Sequence, residues 1–200
     1  MVHILGEELM TEAMLAILIK RLPTVNIQVM CDADRNIVYI SPCFTGRTHD
    51  STALKSCAIY PQLISPLPCF LKEHCYVLAD LGYACAGKVI RPYQQKYVTS
   101  EDRKRFNEWH KSCRMIVENA IRDVKFRCYS FHYGCRARDF KELSDQVQAG
   151  FVLHMFAKRH ENEFLGRNND AIPFTVDPSL HNLSGPDLRK AITEYLSKQK

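Results

Sequence analysis

Two short β-forming runs separated by five turn-forming residues constrain this chain most. Residues 26–31 (NIQVMC) and 37–41 (IVYIS) are rich in β-branched and apolar side chains, and Asp32-Ala33-Asp34-Arg35-Asn36 lies between them. That pattern predicts an antiparallel hairpin. A third run, residues 76–79 (YVLA), is apolar on both faces and ends on Asp80, so it reads as a buried strand. Val89-Ile90, just before Pro92, suits a further short strand.

The rest of the chain is helical in pattern. Residues 7–22 read as an amphipathic helix ended by Pro23. A short helix opens at Asp50-Ser51, capped by Thr48 or Asp50, and runs to about Ala58. Prolines 61, 66 and 68 make residues 61–74 irregular. A long helical region starts at Ser100 and reaches about Arg127, with room for one break. Residues 140–163 are helical again. From Leu165 the chain loosens, and a last short helix spans residues 186–198. A hairpin, a helix, a strand and then helices suit an α/β fold: a small mixed sheet covered by helices.

Composition narrows the class. The 200 residues are 46% hydrophobic and 24% charged, which fits one globular domain with a tail and excludes collagen, coiled coil and bulk disorder. No apolar run approaches the roughly 20 residues that a membrane span needs. The apolar stretch 13–19 follows Glu7, Glu8 and Glu12, where a secretory signal would carry positive charge, so no signal peptide is expected. The nine cysteines include no CxxC pair and read as reduced thiols.

Charge is concentrated in one segment. Residues 1–85 carry net −2, residues 86–141 net +8 and residues 142–200 net −1. A basic centre of this kind is the footprint of a polyanion partner, against the plainer reading of a solvated lysine-rich helix face. Lys104, Arg105, Lys111, Arg136 and Arg138 are its candidate phosphate contacts. Acids stand next to it in sequence. Asp80 ends a strand, where α/β folds place functional groups. Asp50 opens a helix, and Glu118 interrupts the apolar stripe of Ile116, Val117, Ala120, Ile121 and Val124. A charge inside such a stripe needs a partner or a metal, and Arg114 lies one turn before it. Each acid alone also reads as a cap, a turn residue or an exposed ion pair. Together they suit a magnesium site beside a phosphate-binding surface.

At these residues the chain resembles the PIF/Harbinger transposases and the nuclease derived from them, a DDE-type group with a ribonuclease-H-like catalytic fold. Residues 25–54 (VNIQVMCDADRNIVYISPCFTGRTHDSTAL) resemble the family's second and third strands followed by its G-x-x-x-D-S helix start. YVLADLGY, residues 76–83, resembles the strand bearing the second catalytic Asp, and Arg91-Pro92-Tyr93 the segment after it. FNEWHKSCRMIVENAIRDVKFRC, residues 106–128, resembles the helix bearing the catalytic Glu, and Arg114, Glu118 and Lys125 keep an R-x3-E-x6-K spacing. AGFVLHMF, residues 149–156, resembles the closing helix, with Met155 in place of Asn.

The resemblance implies a metal-dependent DNA endonuclease using a divalent cation, Mg²⁺ by chemistry. Asp80 and Glu118 would be catalytic metal-binding acids, Asp50 a further metal ligand, and Arg114 and Lys125 phosphate or DNA contacts. It also implies a nuclear location with cytoplasm open, double-stranded DNA as partner, and a Myb-like DNA-binding protein beside it. The division expected is a non-family N-terminal helix over 1–24, the DDE endonuclease-like domain over 25–163, and a loose tail with a short helix over 164–200. One departure is large. The family's first catalytic Asp belongs to a D-G-T-H strand ahead of the N-x-Q strand, and residues 1–24 contain no such motif. The first strand is therefore expected to be missing. Three readings stay open: an endonuclease completed by Asp32, Glu7 or Glu8; a non-catalytic DNA-binding or protein-interaction remnant; and, with the resemblance set aside, a cytosolic α/β binding protein with a basic helix.

Overall fold

A computed structural model describes residues 10–19, 22–65, 75–164 and 183–198. The expected N-terminal helix is overturned there. Met10–Ile19 is strand β1, and it pairs antiparallel with β2, Leu22–Cys31, from Thr11↔Cys31 to Ile19↔Leu22. It also runs parallel to β5, Val77–Leu78, through Met10↔Val77 and Thr11↔Leu78. A strand thus stands ahead of β2 where a helix was expected. Helix-forming composition yields here to the backbone of β2, whose residues 25–31 are all buried. Buried N–H and C=O groups on both edges of β2 need partners, and β3 alone covers only one edge.

The remaining strands are β3 (Ile37–Ile40), β4 (Phe44–Thr45) and β6 (Val89–Ile90). The sheet order is β3-β2-β1-β5-β6, with β4 pairing β2. The hairpin expected from residues 26–41 is β2-turn-β3. Asp32 closes its turn: its two carboxylate oxygens accept from the Asn36 backbone N–H and side-chain amide, each at 2.8 Å. Asp32 is therefore a turn residue.

Helix α1 is Asp50–Lys55 and α2 is Tyr60–Ile64. His49 is the N-cap of α1 and makes no side-chain capping bond, so neither Thr48 nor Asp50 caps it. Part of the stretch expected to be irregular is helical, because Pro61 sits in the first turn of α2, where its missing N–H costs nothing. The long helix α3, Glu101–Arg127, is unbroken. Ser100 caps it by accepting from the Arg103 N–H, Glu101 and Asp102 face the positive end of its dipole, and Lys125 and Arg127 the negative end. Helices α4 (Tyr129–Tyr133), α5 (Phe140–Phe164) and α6 (Gly185–Lys198) follow. No helix among the described residues is long and apolar enough to cross a membrane.

Alternation along β2 builds two cores. Val25, Ile27, Val29 and Cys31 pack with Val117, Ala120, Ile121 and Val124 of α3 and with Phe131, Val147 and Phe151 of α4 and α5. Met30, on the other face, packs with Val77, Ala79, Val89 and with Leu54 and Leu63 of α1 and α2. A third cluster joins Leu78 and Ile90 to Phe106 and Cys113 of α3 and to Leu188 and Ile192 of α6. Helix α3 thus lies across the sheet centre and over the end of β5.

Candidate functional site

Position along α3 is set at its N-terminal half. Asn107 accepts from the Tyr93 N–H at 2.8 Å and donates to the Tyr93 carbonyl at 2.9 Å, clamping the helix to the chain that leaves β6. Two turns further on, Arg114 then meets the residues following β5. Its guanidinium lies 3.1 Å from an oxygen of Asp80 and 3.0 Å from Glu118. The two acids that sequence spacing singled out are therefore joined through one cation. Arg114 is largely buried, whereas both carboxylates are about half exposed, so the acids open to solvent and the cation sits beneath them.

The loop after Asp80 is held from several sides. The Leu81 N–H donates to the Asp80 carboxylate at 2.6 Å. Arg91 donates to the carbonyls of Leu81 and Tyr83 at 3.4 and 3.1 Å. From α6, Arg189 lies over the Tyr93 ring at 4.0 Å. His110, one turn before Arg114, is buried with Nε2 3.3 Å from the Ile90 carbonyl. Burial pushes its pKa down to about 4, the Ile90 carbonyl and Asp80 oppose that, and the Arg114 and Arg189 charges add to it. The imidazole is neutral at physiological pH.

Asp50 reaches the same loop by another route. It accepts from the Asn26 amide at 3.0 Å, and a Cβ on Gly82 would stand 3.0 Å from its other oxygen. Asn26 accepts from Gln28 at 2.8 Å, and Gln28 accepts from the Tyr83 hydroxyl at 2.5 Å. This chain of side chains, buried on the face of β2 away from α3, ties Asp50 to the loop that carries Asp80. Asn26, Gln28, Tyr83, Arg91 and His110 were not singled out from sequence. The available signal was polarity at strand positions that the alternation assigns to the interior.

Along β1, Glu12 is in register with Met30. Thr11 and Ala13 are in register with Cys31 and Val29. Glu7 and Glu8 lie outside the described residues.

A divalent metal fits this arrangement poorly. Among the described residues no group of three His, Cys, Asp or Glu side chains is placed to hold an ion. The space between Asp80 and Glu118 is filled by a guanidinium, and Asp50 is committed to Asn26.

The basic residues divide. Lys104, Lys111, Glu118 and Lys125 recur every seven residues on α3 and so share one stripe, although Lys104 pairs with Glu101 at 3.0 Å. Arg105 lies about 100° around the helix from Lys104. Arg136 and Arg138 follow α4, and Arg138 pairs with Glu142 at 3.0 Å.

A family model described as DDE superfamily endonuclease matches residues 18–155, and the chain belongs to that family. Membership implies a metal-dependent nuclease domain with DNA as its substrate class. No curated protein and no solved structure matches the chain.

Proposed function

We propose that this chain is a DNA-binding domain of the PIF/Harbinger transposase-derived group, built on a ribonuclease-H-like sheet, which holds duplex phosphates without cleaving them. The observation that carries this reading is Arg114 between Asp80 and Glu118. One guanidinium between two carboxylates halves their net charge and occupies the space an ion would take, and displacing a largely buried arginine would leave it unpaired. Among the described residues no third His, Cys, Asp or Glu joins the pair to hold an ion. Two-metal hydrolysis depends on ligands that fix both ions, so a site short of one does not align water and phosphate.

DNA binding is left to the stripe on α3. Lys104, Lys111 and Lys125 span 22 residues of helix, about 30 Å, which is long enough to meet several phosphates. Each phosphate neutralised adds close to one unit to the slope of log affinity against log salt. Replacing all three lysines with alanine is expected to weaken duplex binding at every sequence and to reduce that slope by about 3. An unchanged slope overturns the assignment.

A second reading is favoured by the family match itself: an active magnesium-dependent endonuclease. Nicking of supercoiled plasmid with Mg²⁺ or Mn²⁺, abolished by Asp80→Asn and by Glu118→Gln, would establish it. Duplex binding without nicking supports the first reading. In either case a nuclear location and a Myb-like partner belong to this proposal through the resemblance alone.

A further inference from the structure

The basic end of α3 and helix α4 after it turn aromatic rings outward. Phe126, Tyr129 and Tyr133 are 80%, 70% and 56% exposed, and the two tyrosine rings stack at 4.1 Å with planes 29° apart. The outward placement is built in. Cys128 alone separates α3 from α4, so the rings follow the long helix closely. On the inner side of α4, Phe131 is buried against Phe151, their centroids 6.1 Å apart. Phe131 seats on Gly150 so tightly that a Cβ there would stand 2.3 Å from its ring. The Cys135 thiol donates to the Ser130 carbonyl, and Gly134, at φ 102°, turns the chain away. With the inner face fixed in this way, Tyr129 and Tyr133, one turn apart, stay in water.

The segment that carries these rings is basic: residues 122–138 hold five Lys/Arg and one Asp, with Arg127 and Arg138 paired to Glu161 and Glu142. Gln146 anchors Arg136 by donating to its carbonyl at 2.8 Å. An exposed apolar patch marks an interaction surface, and one rimmed by cations selects an anionic partner. Flat rings on a rigid helix with cations beside them match what unpaired nucleotides require: a π-face for each base and positive charge for its phosphate. Duplex DNA shows only base edges in its grooves and has no face to offer such rings.

We propose that Phe126, Tyr129 and Tyr133 form a stacking platform for the bases of single-stranded DNA, separate from the duplex-phosphate stripe of α3. Strand opening beside a bound duplex would deliver such bases. The platform binds by stacking, so its affinity depends on rings and little on base identity.

The test is fluorescence anisotropy of the full chain with a labelled 15-nucleotide oligothymidine and, separately, with a blunt duplex. The double change Tyr129→Ala and Tyr133→Ala is expected to weaken single-strand binding by roughly 10- to 100-fold while moving duplex affinity by less than about twofold. Tyr129→Trp with Tyr133→Trp should retain single-strand affinity, and Tyr129→Leu with Tyr133→Leu should lose it. Both residues are largely exposed, and unchanged circular-dichroism melts would confirm that the variants fold. Undisturbed single-strand binding in the alanine variant overturns the proposal, as does equal loss for the duplex. Retention by the leucine variant also overturns it, since that result identifies a general apolar surface for a protein partner. Failure of duplex binding in the wild type would defeat the reading of the α3 stripe and leave the single-strand result standing by itself.

Discussion

Acid should destabilise this protein through one buried histidine. His110 is 1% exposed, on the inner face of α3, with its Nε2 on the Ile90 carbonyl and the Arg114 guanidinium one turn away. Its pKa falls from 6.5 to about 4 on folding, because burial penalises the imidazolium more than the Ile90 carbonyl and Asp80 favour it. Between those two values the unfolded chain binds a proton that the folded chain refuses. Stability is therefore full above pH 6.5, declines as pH falls, and has lost this contribution once pH is below about 4. A shift from 6.5 to about 4 is worth about 3 kcal/mol at 1.36 kcal/mol per unit. That is a large part of the 5–15 kcal/mol typical of a domain. Urea unfolding at a series of pH values from 7.5 to 4.5 measures it, with His110→Gln as the comparison. Burial lowers His154 in the same direction, so the difference between wild type and variant isolates His110. The wild type should lose stability more steeply below pH 6.5 than the variant. Parallel profiles, or an imidazole that titrates near 6.5 by NMR in the folded protein, would refute the reasoning.

Gly150→Ala places a methyl 2.3 Å from the Phe131 ring and should lower stability by about 1–3 kcal/mol, read as a fall in Tm. Tyr83→Phe removes the donor to buried Gln28 and should cost about 1–3 kcal/mol in urea unfolding. Arg114→Gln takes away the cation between Asp80 and Glu118, so manganese binding followed by electron paramagnetic resonance should rise above the wild-type level. An unaltered titration would mean that the guanidinium is not what keeps an ion from the acids.

Much of this architecture can be read locally. The β2-turn-β3 hairpin follows from two β-branched runs around a turn that Asp32 closes. Helix α3 follows from Ser100, from acids in its first turn, and from apolar residues at three- and four-residue intervals; α5 and α6 follow from the same periodicity. The pairing of Arg114 with Glu118 is a consequence of one helical turn and needs no fold to foresee. Membership of the endonuclease family is also a property of the chain alone.

Three features depended on packing. Residues 10–19 have the composition of a helix and form a strand, because the flanks of a doubly buried β2 leave backbone groups that only another strand can satisfy. The register of that strand, which sets Thr11 opposite both Cys31 and Leu78, is likewise fixed by its neighbours and not by its own pattern. Finally, Arg114 bridges Asp80 only because Asn107 clamps α3 to the Tyr93 backbone and sets the helix along the sheet. Local sequence determines which residues share a helix turn or a strand face. It does not determine which charges from distant segments meet, since that depends on how far one element slides against another.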